Sequence, residues 1–153
     1  MDNFQNEVKN MIIYTARVSR CSIHIFYSSP LRRAVETSRM ISERIGIPYF
    51  TDKRLIEQDH GIYEGVDRKN EGFLKNKKNF AFRYPRGESM MQTADGVYGL
   101  LDEIRKKDEG KNVLLVSHGG VCRVIRSYFV DMTNEEYFNY TQKNGVLEAY
   151  EYI

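Results

Sequence analysis

Ser117-His118-Gly119-Gly120 follows directly on the apolar run 113–116. A buried strand there would carry His118 to its carboxyl end, and two glycines would let the backbone turn tightly into a helix. The free N–H groups of a helix's first turn attract anions, and a histidine beside them adds a donor. The plainer alternative is a histidine that merely caps the turn. A second cluster, Ser28-Ser29-Pro30-Leu31-Arg32-Arg33-Ala34, places arginines at another helix start, where a planar guanidinium can hold two phosphate oxygens. Adjacent arginines point to different sides of a helix, and Arg33 is taken as the one facing the site; two solvated arginines are the alternative. The third cluster, Arg54-Leu55-Ile56-Glu57 continuing to Gly61 and Glu64-Gly65, offers a carboxyl group. Glu57 could act as general acid in a phosphate-lined cleft, although a loop glutamate is more often a surface charge.

These clusters need a scaffold, and the spacing predicts one. Segment 4–18 reads as an amphipathic helix, with Phe4, Val8, Met11, Ile12 and Thr15 at helical spacing. A strand is expected over 23–27, then a helix with Ser29 as N-cap and Pro30 at its first position, ending at Gly46 and Pro48. Segment 49–55 reads as a strand and 66–86 as a basic stretch of weak periodicity, a candidate lid. Glu88 or Ser89 starts a long helix with Met90, Ala94, Val97, Leu101 and Ile104 on one face. After the buried strand 113–116 comes a helix over 121–130. Thr133 and Glu136 form a capping box for another helix, and 146–153 closes the chain as a strand. Strands alternating with helices give an α/β fold, a three-layer sandwich around a mostly parallel sheet, with ligands beyond the carboxyl ends of its strands.

Composition narrows the function classes. The chain of 153 residues is 41% hydrophobic and 29% charged, which suits one domain, residues 1–153, with a real core. A net charge of +2 gives no general attraction to nucleic acid or membrane. Cys21 and Cys122 are too few for a disulfide framework and lack metal-ligand spacing, so reduced thiols in a cytoplasmic protein are expected. No apolar run approaches the ~18 residues of a membrane span. Arg68, Lys69, Lys75, Lys77, Lys78, Arg83 and Arg86 outnumber Asp67 and Glu71 within one stretch. That excess would suit an anionic small molecule, though such a run is usually a solvated face.

Taken in order, S-S-P-L-x-R-A at 28–34, R-L-x-E at 54–57, G-x-x-E-G at 61–65, P-x-G-E-S at 85–89 and V-S-H-G-G at 116–120 resemble the histidine phosphatases of the phosphoglycerate-mutase-like kind. The resemblance runs from about residue 23 to 126. It implies that Arg33 binds phosphate with the Gly119 backbone, that Glu57 protonates the leaving group, and that His118 stabilises charge on the transferring phosphoryl. It further implies that Glu88 and Ser89 lie in a loop near the site, and that no metal or other cofactor is needed. The implied activity is hydrolysis of a small phosphate monoester by way of a phosphohistidine, phosphatase rather than mutase because the connection from Glu57 to Pro85 is short.

The family's opening R-H-G, whose histidine is the nucleophile, is nowhere in this sequence. The expectation is an N-terminally incomplete domain whose first strand is missing. Three explanations are open: a fragment of an active phosphatase, a pseudophosphatase that binds phosphorylated ligands without turnover, or His60 as substitute nucleophile. His24, within a strand, reads as structural. A missing first strand would leave 113–116 as a flat apolar edge, so edge-mediated association, such as a homodimer, is expected.

Overall fold

The computed structural model describes residues 11–15, as backbone, and 22–152. One five-stranded sheet runs through the domain in the order β3-β2-β4-β1-β5. Its strands are β1 Met11–Thr15, β2 Ile25–Ser28, β3 Phe50–Thr51, β4 Asn112–Val116 and β5 Leu147–Tyr150. The helices are α1 Arg32–Ile45, α2 Glu71–Lys77, α3 Met90–Lys107, α4 Gly119–Phe129 and α5 Asn134–Asn139. Strands β3, β2 and β4 are mutually parallel.

Every residue of β4 is buried, and its side chains alternate between two cores. Val113 and Leu115 pack with Val97, Leu101 and Ile104 of α3 and Val121, Val124 and Ile125 of α4. Leu114 and Val116 pack with Phe26 of β2 and with Ala34 and Ile41 of α1. Helix, sheet and helices thus form the three layers expected of the α/β reading.

Local chemistry sets the ends of these elements. Ser89 caps α3 in a full capping box with Gln92, and Thr133 caps α5 in another with Glu136. Gly46 ends α1 in the left-handed region at φ 73°. Strand β3 is only two residues long, because Asp52 accepts from the Arg54 N–H and turns 53–55 into a 3-10 helix.

The amino-terminal expectations need correction. Residues 11–15 are a strand, not part of a helix, and the rest of the segment read as helical lies outside the described residues. The β-branched pair Ile12-Ile13 with Tyr14 suits a strand once β4 offers an unpaired edge, and tertiary pairing overrides the helical spacing. Nor is the position beside β4 vacant. β1 lies between β4 and β5, antiparallel to β4 with Met11 opposite Val116 and Thr15 opposite Asn112, and parallel to β5. β4 is therefore paired on both sides, and the apolar edge on which a homodimer was expected does not exist.

Candidate functional site

His118 stands at the N-cap position of α4, just beyond the carboxyl end of β4, but its side chain makes no capping bond. The ring is held instead between two residues from the β2–α1 turn. Arg33 Nε donates to His118 Nδ1 at 3.1 Å, and His118 Nε2 lies 2.8 Å from Ser29 Oγ. Because the guanidinium can only donate, Nδ1 must be the acceptor, so the ring is neutral with its proton on Nε2, which donates to Ser29. Burial, with the Arg33 charge adding to it, pushes the His118 pKa down to about 4. Only 4% of the residue's surface is exposed.

Ser29 is not the cap of α1, as the sequence suggested. Leu31 takes that position without a side-chain bond, and Ser29 Oγ accepts from the Leu31 N–H as well as from His118. Its Oγ is used on the histidine because the helix starts two residues later than expected and leaves Ser29 at the strand's end, beside β4. Arg32 points away from His118 and pairs with Glu36 at 2.8 Å on the surface. The terminal nitrogens of Arg33 bond no described residue.

Glu57 reaches the same helix start from the third cluster. Its carboxylate accepts from the Gly120 N–H at 3.2 Å and from its own neighbour, the Gln58 N–H, at 3.2 Å. A Cβ on Gly120 would meet Glu57 Oε1, so the glycine leaves room for that carboxylate to approach the helix start. The Gly119 N–H stays unpaired among the described residues, one of the first-turn donors that an anion can take.

Glu88 and Ser89 are bonded into the loops beside these residues. Glu88 accepts from the Asp59 N–H at 3.0 Å through its side chain, and its own N–H donates to Asp59 O at 2.9 Å. Ser89 spends its hydroxyl on capping α3. The loops 57–65 and 85–89 are pressed together so closely that a Cβ on Gly61 would strike Pro85 O and the Gly87 nitrogen. Gln58, buried to 4% and donating to Glu88 O at 3.3 Å, belongs to this joint; no pattern in the sequence marks it.

The other two histidines are placed elsewhere. His24 accepts from the Asn112 N–H through Nδ1 at 2.8 Å, at the opposite end of β4 from His118. His60 is wedged edge-on between Phe73 and Tyr84, with ring centroids 5.1 and 5.0 Å away, and its Nδ1 lies 3.4 Å from Glu64. Neither bonds to Arg33, His118 or Glu57. Cys122, free and fully buried on α4, has its thiol pKa pushed up by burial, while Cys21 lies outside the described residues. No helix among the described residues is long and apolar enough to cross a membrane.

Comparison with known proteins gives a consistent picture. The chain is 30% identical over 117 residues to a 6-phosphofructo-2-kinase/fructose-2,6-bisphosphatase of Gallus gallus, covering 72% of this chain and 23% of that protein. It is 29% identical over 117 residues to phosphoserine phosphatase 1 of Hydrogenobacter thermophilus, covering 72% of this chain and 56% of that one. The chain thus spans about a quarter to somewhat over half of the length of these relatives. Among solved structures, the fold matches a mycobacterial glucosyl-3-phosphoglycerate phosphatase in complex with inorganic phosphate. The TM-score is 0.66 at 18% identity, over 86% of this chain and 83% of the other. The sequence pattern of the histidine phosphatase superfamily (branch 1) matches residues 13–153, from inside β1 to the last residue. With the match covering nearly the whole chain, this protein belongs to the histidine phosphatase superfamily.

Proposed function

We propose that this chain holds the phosphoryl group of a small phosphate monoester against Arg33, His118 and the Gly119 N–H, and that the reaction its site serves is monoester hydrolysis. The observation that carries this reading is the Arg33–His118 hydrogen bond at the open N-terminus of α4. It sets two cation-capable or donating groups and a helix dipole on one point, which suits a phosphate dianion. The phosphatase names of the relatives agree with it.

In the hydrolytic reading a histidine nitrogen attacks phosphorus and the ester P–O bond breaks. Glu57 gives its proton to the departing alkoxide. Water then attacks the phosphohistidine, returning a proton to Glu57 and releasing inorganic phosphate. Arg33 and the His118 Nε2–H, swung from Ser29 to a phosphoryl oxygen, hold the charge on the equatorial oxygens through both steps. None of the three histidines of the sequence is placed to attack phosphorus in this reading, with His118 in the stabilising role and His24 and His60 bonded elsewhere. That same placement favours a second reading for the chain alone, in which it binds phosphorylated ligands without turning them over.

Binding tests the phosphoryl site that both readings share, and turnover separates them. Orthovanadate or phosphate should bind the 153-residue chain and be lost in His118→Ala and Arg33→Met. Hydrolysis of p-nitrophenyl phosphate should be absent. Activity that vanishes in His118→Ala would instead mean a working nucleophile within the chain, with His60→Ala the next variant. Vanadate binding that survives both substitutions would overturn the phosphoryl site itself.

A further inference from the structure

A groove of about 350 Å³ lies between the first half of α3 and the junction of α4 with α5, and neither Arg33, His118 nor Glu57 lines it. That volume is at the lower end of the about 300–1,000 Å³ typical of small-molecule sites. Met90, Met91 and Met132 supply thioether walls, and the rings of Phe80, Tyr98 and Tyr137 supply most of the remaining apolar surface. Met91 is 61% exposed, so a bound apolar body would take methionine surface out of water.

The polar atoms of the groove are chiefly acceptors. Ser127 Oγ donates its one hydrogen to Val124 O at 2.8 Å, so in its 2.9 Å bond with Tyr98 the phenol is the donor. Tyr137 likewise donates to Met90 Sδ at 3.0 Å. With both hydroxyl hydrogens committed, the two phenol oxygens have only lone pairs left to offer a ligand. Asp131 lines the same groove, exposed and without an ion-pair partner among the described residues. Asp95, one turn from both Met91 and Tyr98 on the same face of α3, has no such partner either. No lysine, arginine or histidine lines the groove, and Asn134 is the one lining side chain with a donor to spare.

Such a lining selects by sign. An anion would meet carboxylates and phenol lone pairs with no cation among them. A neutral molecule would gain nothing from Asp131. An ammonium group finds a carboxylate, acceptor oxygens and aromatic faces that attract cations, while methionine walls adapt to the apolar body it carries. We propose that this groove is a ligand site separate from the phosphoryl site, and that it takes a small molecule joining a primary ammonium to a ring-sized apolar body. A lone lysine side chain of another protein would leave most of the volume empty, which favours a free molecule with a body of its own.

The test is an NMR titration of the full chain, labelled at the methionine methyls, with 2-phenylethylamine, 2-phenylethanol and 3-phenylpropionate at neutral pH. The three probes carry a cation, a neutral group and an anion on the same ring and arm. The amine should bind about tenfold more tightly than the alcohol, one charge-assisted contact's worth, and the acid more weakly than either. The methyls that move should be those of Met90, Met91 and Met132. Replacing both surface carboxylates, Asp95→Asn with Asp131→Asn, should bring the preference for amine over alcohol to within about twofold of unity. Equal binding of amine and alcohol by the wild type overturns the site, as does a preference that the double variant retains. An amine that fails to bind, or that moves other methionines instead of these three, overturns it too. N-acetyl-lysine amide binding as tightly as the amine would make the occupant a protein side chain and overturn the free molecule.

Discussion

Replacing His118 with glutamine and following unfolding across pH tests the central feature of the site, a histidine buried neutral against an arginine. The ordinary pKa of 6.5 applies to the unfolded chain, and burial with Arg33 brings the folded value down to about 4. The unfolded state therefore takes up the proton first. Stability is complete above about pH 6.5 and drains as pH falls, levelling off below about pH 4 when the folded ring also protonates. The full loss is roughly 3 kcal/mol, and about 2 kcal/mol of it should already be gone at about pH 5. Carboxylates elsewhere also titrate, so the comparison must be between two proteins. Urea unfolding at about pH 7.5 and about pH 5 should show the wild type losing about 2 kcal/mol more than His118→Gln over the interval. Equal losses in the two proteins, or an NMR titration of the His118 ring with its midpoint at or above the ordinary value, would refute the buried neutral histidine.

Arg33→Met should raise the His118 midpoint in the same NMR titration, because the guanidinium charge is one of the two causes that hold it down. Gly120→Ala should displace the Glu57 carboxyl from the Gly120 N–H, since a methyl there meets Glu57 Oε1, while changing stability in denaturant titrations by no more than about 1 kcal/mol. Gly46 and Gly61 both have positive φ, but only Gly61 is crowded; Gly46→Ala should cost about 1 kcal/mol and Gly61→Ala clearly more in denaturant titrations. Ser89→Ala should cost about 1 kcal/mol by removing the capping box of α3, and Ser89→Thr should recover most of it.

Much of this architecture is legible in the sequence where a residue type has one cheap structural use. The run 113–116 is apolar at every position because both faces of β4 are covered, and Ser89, Thr133 and Gly46 mark helix ends by chemistry that works locally. Arg33, His118 and Glu57 were legible as a set through the order of their motifs, and the fold brings Arg33 onto His118 and Glu57 onto the adjacent helix start. What stayed hidden depends on long-range pairing. Met11–Thr15 has both a helical spacing and β-branched residues, and only the free side of β4 decides between them. Ser29 reads as a helix cap because serine before proline usually is one; its use on His118, 89 positions away, has no local signature.

The ends of the stretch between Gly61 and Gly87 are pinned together at a neck, where Ile62 N–H donates to Pro85 O at 3.1 Å and Glu88 N–H to Asp59 O at 2.9 Å, while Phe80 within it packs on the core. The two ends of that excursion are therefore at a fixed separation whatever its length. Adding residues within its exposed part, 64–72, changes chiefly the closure entropy of a loop whose ends are already held, about 0.6 kcal/mol per doubling. Glu57 and Ser89 lie outside the neck and would not feel the change. The excursion carrying the Phe73–Tyr84 ring cluster is in this sense a cassette, one whose exposed turns can be lengthened, shortened or exchanged while the Arg33–His118 pair stays as it is.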